Sequence, residues 1–175
     1  MKHQDTLGEM LDSAADRLAA YGYLLTGSQH AGEDLVQDAI VKVFVRQRRL
    51  ENARAAEAYV RAAMRTLHLD RMRRETRWRS LLPRLVDRAV APDEAAVVDD
   101  QERMGRALAV LAPQERAVVV LRFYDDLKVT DIATQMHLAE GTVKRYLSNA
   151  LDKLAGVLGT IDDTTERVGL VERKK

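Results

Sequence analysis

The segment 127–147 has the side-chain types and spacing of a motif that reads DNA. Ile132 and Met136 fall on one face of a short helix, and small Ala133 lets a second helix approach closely. Val143 begins the apolar stripe of that second helix. This layout predicts a helix-turn-helix, whose second helix enters the major groove, although a plain helical hairpin stays open. The candidate DNA contacts at its start and outer side are Gly141, Thr142, Lys144, Arg145, Ser148 and Asn149.

A second candidate is a strongly basic helix. Residues 42–79 carry 12 basic and 4 acidic side chains, which indicates a polyanion partner, although solvated helix faces remain an alternative. Arg61, Arg65 and His68 share a face by three- and four-residue steps. Arginine forks onto phosphates and stacks on bases. Tyr59 and Trp78 add aromatic surface for unpaired bases, while core packing is the more common role for each aromatic alone.

A helix ahead of the basic one carries acids early in its length. Its stripe predicts burial of Leu35, Ala39 and Val43. Acids near a helix start are compatible with the helix dipole and are usually just solvated. By themselves they carry no function. The polar side chains opposite the stripe are Glu33, Asp34, Gln37, Asp38 and Lys42.

Several chemistries are excluded. The chain has no Cys, which rules out disulfides, thiolate metal sites and cysteine catalysis. It has no glycine-rich phosphate loop, His-Glu-x-x-His or Gly-x-Ser-x-Gly pattern. We therefore expect no catalytic residue, metal or cofactor. The histidines are interpreted as surface or turn residues. No stretch of about 18 apolar residues and no signal peptide is present, so a cytoplasmic location, on the nucleoid when active, is expected. The histidines are His3, His30, His68 and His137.

The elements that carry these residues are all helical. Apolar residues recur at three- and four-residue steps, with 3 Pro and 9 Gly, which predicts an all-α fold. The first helix stops at Thr26-Gly27-Ser28, the second starts near Glu33, and the third spans about 55–77. Two small helical domains are predicted, 1–79 and 102–158. Between them 80–101 is a flexible acidic linker, and 159–175 is a polar tail, disordered or loosely held.

At this point the chain resembles a sigma factor of the extracytoplasmic-function (ECF) kind in the sigma-70 family, closest to actinobacterial members. Residues 31–44 are similar to region 2.2, which docks on the polymerase clamp. Residues 58–74 resemble regions 2.3 and 2.4, which melt and read the minus-10 element. Residues 111–123 and the helix-turn-helix resemble region 4, which reads the minus-35 element.

The resemblance implies a set of partners and roles. The partners would be core RNA polymerase (its beta-prime clamp and beta flap) and promoter DNA, and exposed apolar faces would accommodate an anti-sigma factor. No membrane contact is expected. Asp34, Gln37, Asp38 and Lys42 would contact core. The minus-35 element would meet residues 141–153, with Lys153 added to the six named above. The implied minus-10 contacts are Arg46, Arg48, Arg49, Asn52, Tyr59, Arg61, Arg65, Thr66, Arg71, Arg73 and Arg74.

Some positions depart from the family pattern. Thr66 stands where Asn is common, which bears on minus-10 base preference. Lys128 and Ala139 replace the usual capping Ser residues, and His137 replaces a common Gly in the turn, so we expect a less stable second domain. Two other functions are compatible with the same motifs: a helix-turn-helix regulator that does not dock on polymerase, and an adaptor that has kept the fold but sequesters a partner.

Overall fold

In the computed structural model the described backbone comprises residues 2–46, 50–81, 104, 105 and 107–171. Across those residues the chain is helical and contains no strand, so the all-α prediction is confirmed. The chain divides into two compact units, Met1–Ala95 and Ala96–Lys175. Most of the predicted linker, residues 82–101, lies outside the described part.

The first unit is a bundle of three helices that all pack on one another: α1, Lys2–Thr26; α2, Gln29–Arg46; and α3, Ala53–Leu81. Its core forms where the apolar stripes meet, because burial of these side chains away from water is the main favourable term in folding. The largest fully buried side chains here are Met10, Leu18, Tyr21, Leu25, Leu35, Val60 and Met64.

The turn between α1 and α2 is built by three polar or small residues. Gly27 has a φ of 73°, and its N–H donates to the Tyr23 carbonyl over 2.7 Å, which ends α1 after Thr26 as predicted. The Ser28 hydroxyl oxygen then accepts the Ala31 N–H over 3.3 Å. Because this cap is in place, α2 begins at Gln29. The predicted start near Glu33 was therefore too late.

Two glycines bring α1 and α2 into backbone contact. A Cβ on Gly22 would lie 2.7 Å from the Gly32 carbonyl oxygen, and a Cβ on Gly32 would lie 2.8 Å from the Gly22 carbonyl carbon. Both distances are far below van der Waals contact, so any larger residue at either position must push the helices apart.

Burial along α3 follows a four-residue step. The buried positions at this step are Ala56, Val60, Met64, His68 and Met72, and Leu69 is buried beside His68. Four residues exceed one helical turn by about 40°, so the buried side rotates along α3 as the helix passes its two neighbours. The interpretation of His68 as a surface residue is therefore wrong, because the residue is buried. Tyr59 is 47% exposed, so of the two roles considered for it, core packing does not apply and contact with unpaired bases stays a prediction.

The second unit contains three described helices: α4, Pro113–Val119; α5, Val129–Met136; and α6, Glu140–Val171. A π-helical turn, Val120–Tyr124, continues α4, and residues 107–109 are also helical. Helix α6 continues through Val171, so the backbone of residues 159–171 is helical, and the expectation of a loosely held arm stays a prediction. The buried hydrophobic residues are Ala107, Leu108, Leu111, Ala117, Val118, Val120, Leu121, Ile132, Ala133, Met136, Val143 and Ala150.

A left-handed residue links α5 to α6. His137 has φ 54° and ψ 45°, and the next N–H, that of Leu138, donates to the Ala133 carbonyl over 2.9 Å. This conformation favours glycine, because a Cβ crowds the neighbouring carbonyl there. At the other end of α5, Lys128 makes no side-chain cap. The turn and the missing cap match the departures noted in the sequence.

Candidate functional site

The outer face of α2 carries the four side chains predicted to bind core polymerase. Asp34, Gln37 and Asp38 are exposed and Lys42 is partly exposed, while Leu35 and others on the opposite side are buried. The Asp34 carboxylate lies 3.7 Å from the His30 ring nitrogen Nε2. The four predicted residues are thus brought together on one helix face.

Two exposed valines, Val41 and Val45, extend that face, and the sequence analysis did not single them out. Val41 is 61% exposed and Val45 is 77% exposed. With Asp34 and Asp38 they form a row at helical steps of four, three and four residues. The row therefore has an acidic end and an apolar end. The signal was present in the sequence as two apolar residues off the core stripe.

One row of side chains on α3 repeats every seven residues, which is close to two helical turns. Tyr59 and Thr66 are exposed, and Arg73 is partly exposed and forms an ion pair with Asp70. The Thr66 hydroxyl donates to the Ala62 carbonyl over 2.9 Å. The row presents an aromatic ring, a hydroxyl oxygen and a guanidinium on one side of α3.

Other arginines of α3 contact the bundle itself. The Arg61 guanidinium carbon lies 5.1 Å from the centre of the Tyr21 ring on α1, a cation–π distance. Arg71 forms an ion pair with Asp38 on α2. The structure thus joins a predicted DNA contact, Arg71, to a predicted polymerase contact. Arg65 is partly exposed and Arg74 is exposed.

The connection before α3 has a capping role. The Asn52 side-chain oxygen accepts the Ala55 N–H over 2.9 Å, so this predicted DNA contact also caps α3. The side chains of Arg46, Arg48 and Arg49 lie outside the described part of the chain.

A two-pronged ion pair ties α1 to α3. Arg17 donates through Nε to Glu57 Oε1 over 3.1 Å and through Nη2 to Oε2 over 2.7 Å. The hydrogen bonds from Arg17 lower the pKa of Glu57, and the positive charges of Arg17, Arg61 and Arg54 act in the same direction against partial burial.

The outer face of α6 holds the predicted minus-35 contacts. Gly141, Lys144, Arg145, Ser148 and Asn149 are exposed, and Thr142 is partly exposed. Val143 and Ala150 are buried on the opposite side. Within the described residues, neither Lys144 nor Arg145 has an ion-pair partner. A helix presenting two such cations and three small polar residues suits phosphates and base edges.

Lys153, the last residue predicted to bind the minus-35 element, forms an ion pair with Glu115 of its own unit. Its ammonium lies 2.7 Å from Glu115 Oε2, and the same oxygen accepts the Ala112 N–H over 2.9 Å. Burial alone raises the pKa of Glu115, but the two hydrogen bonds and the positive charge of Lys153 together outweigh it, so the pKa is lowered. Glu115 thus caps α4 and ties it to α6. The sequence analysis missed this residue.

An acidic residue marks the end of the cationic part of the outer face of α6. Asp152 is exposed and lies one helical turn beyond Ser148 on the same side. A carboxylate repels phosphates, so the cationic part of the face ends before residue 152. The described residues contain no group of three or more His, Cys, Asp or Glu side chains that could hold a metal ion. In the same residues, no helix combines the length and apolar character needed to cross a bilayer.

Comparison with known proteins supports the division of the chain into two domains. Residues 10–78 match the family described as Sigma-70 region 2, and residues 101–154 match Sigma-70, region 4. The chain is 30% identical over 148 residues to the RNA polymerase sigma-E factor of Streptomyces antibioticus, covering 82% of this chain and 79% of that protein. It is also 30% identical over 150 residues to the ECF RNA polymerase sigma factor SigL of Mycobacterium tuberculosis (strain H37Rv), covering 83% and 84%.

The chain belongs to the ECF sigma factors of the sigma-70 family. The predicted function of an alternative sigma factor in transcription initiation is thereby confirmed, and so are the two helical domains. A similar fold occurs in the sigma factor RpoE, solved in complex with the anti-sigma factor NepR from Bartonella quintana. The TM-score is 0.54 at 24% identity, covering 87% of this chain and 96% of that one.

Proposed function

We propose that this sigma factor docks on core RNA polymerase through α2 and positions α3 and α6 on the minus-10 and minus-35 promoter elements. The observation that carries the proposal is the outer face of α6, where Lys144 and Arg145 lie opposite a buried stripe and form no ion pair with a described side chain. The Arg145 guanidinium carbon lies 5.8 Å from the centre of the neighbouring Tyr146 ring, and its charge stays exposed. The factor contributes binding and strand separation, and the chemistry of RNA synthesis stays with the polymerase.

The docking role of α2 is supported by its acidic and apolar row. Asp34 and Asp38 suit a basic surface, for which we propose the beta-prime clamp, and Gln37 and Lys42 lie beside them. For the second unit we propose the beta flap as partner. Phe123, on the π-helical turn, is 61% exposed and offers apolar surface for such a contact. The same exposed surfaces would accommodate an anti-sigma factor.

The minus-10 role of α3 is supported by the row of Tyr59, Thr66 and Arg73. Unpaired bases stack on aromatic rings while guanidinium groups follow the phosphates. The other cations proposed for this element are Arg46, Arg48, Arg49, Arg61, Arg65, Arg71 and Arg74, with Asn52 at the start of α3.

The test is run-off transcription by purified core on a promoter library, with and without the full-length chain. We expect transcripts from a subset of promoters that share two spaced elements, and only when core and chain are both present. A chain that binds promoter duplexes but neither binds core nor directs transcripts would instead be a helix-turn-helix regulator. A transcript pattern unchanged by Arg145→Ala and by Arg65→Ala would exclude the proposed DNA contacts.

A further inference from the structure

Trp78 is an exposed aromatic residue near the end of α3. It is the one Trp of the chain, and it is 65% exposed. The buried stripe of α3 ends at Met72, and residues 74–78 are all exposed. An indole left in water at this position contributes little to the bundle, although burying it would contribute more than burying most side chains. A partner protein that buried this indole would therefore gain binding free energy.

The ion pair between Arg71 and Asp38 locates Trp78 relative to α2. Trp78 lies seven residues after Arg71, which places it on the same side of α3, two turns further along. A short connection joins α2 to α3, so the helices run in opposite directions. Since Arg71 lies beside Asp38, Trp78 lies towards the Asp34 end of α2.

Trp78 therefore lies on a different side of α3 from the row of Tyr59, Thr66 and Arg73. Arg74, which is also proposed for the minus-10 element, lies one turn before Trp78 on the same side. Nineteen residues separate Tyr59 from Trp78, which puts them about 100° apart around the helix. The base faces of a duplex are also covered by stacking, so an indole gains little there. A protein surface offers apolar pockets, and Trp and Arg are the residues most enriched among the few that dominate protein–protein binding energy.

We infer that the surface through which α2 binds core polymerase continues onto the end of α3, with Trp78 as its aromatic anchor. This inference rests on the docking role proposed for α2. The extended surface then has an apolar end at Val41 and Val45, an acidic middle at Asp38 and Asp34, and the indole at its far side. Arg71, assigned to DNA by resemblance, serves here to hold the two helices of this surface together.

The first test compares affinities of the full-length chain for core polymerase. Trp78→Ala should weaken binding by about thirtyfold, the scale of an interface hot spot, and Trp78→Phe should retain most of the affinity. Leu11→Ala is the matched control, because it removes an exposed apolar side chain from α1. Equal urea unfolding curves for the variants would exclude loss of folding.

The second test uses the single Trp as a reporter. Full-length chain carrying 5-hydroxytryptophan can be excited selectively in the presence of core. Acrylamide should quench its emission several-fold less in the holoenzyme than in the free chain. Quenching that is equal in both states would overturn the inference.

The remaining outcomes separate this inference from the docking proposal. If Asp34→Ala with Asp38→Ala weakens core binding but Trp78→Ala does not, the anchor is wrong and docking by α2 stands. If none of these changes weakens binding, both are wrong. If Trp78→Ala keeps core affinity and loses promoter opening, Trp78 is a DNA contact and the inference is overturned.

Discussion

The two helices proposed to bind DNA use their positive charge differently. On α3, Arg61 lies over the Tyr21 ring, Arg71 pairs with Asp38, and Arg73 pairs with Asp70. On α6, Lys144 and Arg145 face outward without an ion-pair partner among the described residues, and the ion pair lies further along, at Lys153. One helix thus uses arginines to hold its own bundle together, while the other keeps its cations for a ligand.

This difference shows that the number of basic residues overstates the charge available to DNA. Residues 42–79 carry a large positive excess, yet several of those cations neutralise acids of the same unit. Since affinity for DNA falls with salt in proportion to the phosphates neutralised, the helix with more arginines need not have the steeper salt dependence. Substitutions in the two helices can show which charged residues stabilise the fold and which bind DNA.

Glu115→Ala should have the largest effect, because it removes both the cap of α4 and the tie from α4 to α6. We expect the free energy of unfolding of the second unit to fall by about 2 kcal/mol, measured by urea unfolding followed by circular dichroism. Lys153→Met keeps the cap and should cost about half as much. Equal losses in the two variants would mean that the cap contributes nothing.

Arg145→Ala should act mainly on binding, because its contact with the neighbouring Tyr146 ring joins no two helices. We expect holoenzyme affinity for a minus-35 duplex to fall by about tenfold, measured by fluorescence anisotropy, with an unfolding curve that shifts less than that of Arg61→Ala. Arg61→Ala should instead lower the free energy of unfolding by about 1 kcal/mol, because it removes the contact with the Tyr21 ring. An Arg145→Ala variant destabilised as much as Arg61→Ala, or a fully stable Arg61→Ala, would contradict the contrast between the two helices.

His137→Gly should stabilise the second unit by about 0.5 kcal/mol, because glycine adopts the left-handed conformation without strain. The gain is small because glycine also adds freedom to the unfolded chain. Gln135→Gly, inside α5, is the matched control and should destabilise by about 1 kcal/mol. Thermal unfolding of the two variants measures both. A destabilised His137→Gly would rule out strain at the turn.

Acid should weaken both units slightly, through Glu57 and Glu115. Their pKa values are lowered from 4.5 in the folded protein. Carboxyls with depressed folded pKa values stabilise the fold fully above the unfolded pKa, and this contribution is lost as pH falls through the folded value. Urea midpoints measured from pH 6 down to pH 3 should therefore decline, and Glu115→Gln should flatten the decline. Midpoints that rise towards pH 3 would contradict these pairings.

Local signals in the sequence predicted the local features. Thr26-Gly27-Ser28 marked the end of α1, and the spacing of Ile132, Met136 and Val143 predicted the helix-turn-helix, because turn chemistry and helical periodicity act over a few residues. The start of α2 was misplaced because the acids at Glu33 and Asp34 were weighed above the Ser28 cap.

Contacts between residues far apart in the sequence could not be predicted from local patterns. His68 fell on the same predicted face as Arg61 and Arg65, yet it is buried because the core side of α3 rotates along its length. The pairing of Glu115 with Lys153 joins residues on two helices, and no periodicity indicates it. The valines Val41 and Val45 were visible as apolar residues off the stripe, but only the packed bundle shows that both side chains stay largely exposed.

The glycine contact between α1 and α2 has a mechanical consequence. With backbone directly against backbone at Gly22 and Gly32, no side chain lies between the two helices at that point to change rotamer and absorb a displacement. A push on α2 from a docked protein is therefore transmitted to α1 at once. A reporter dye placed on the outer side of α1, well away from any binding surface, would register that push.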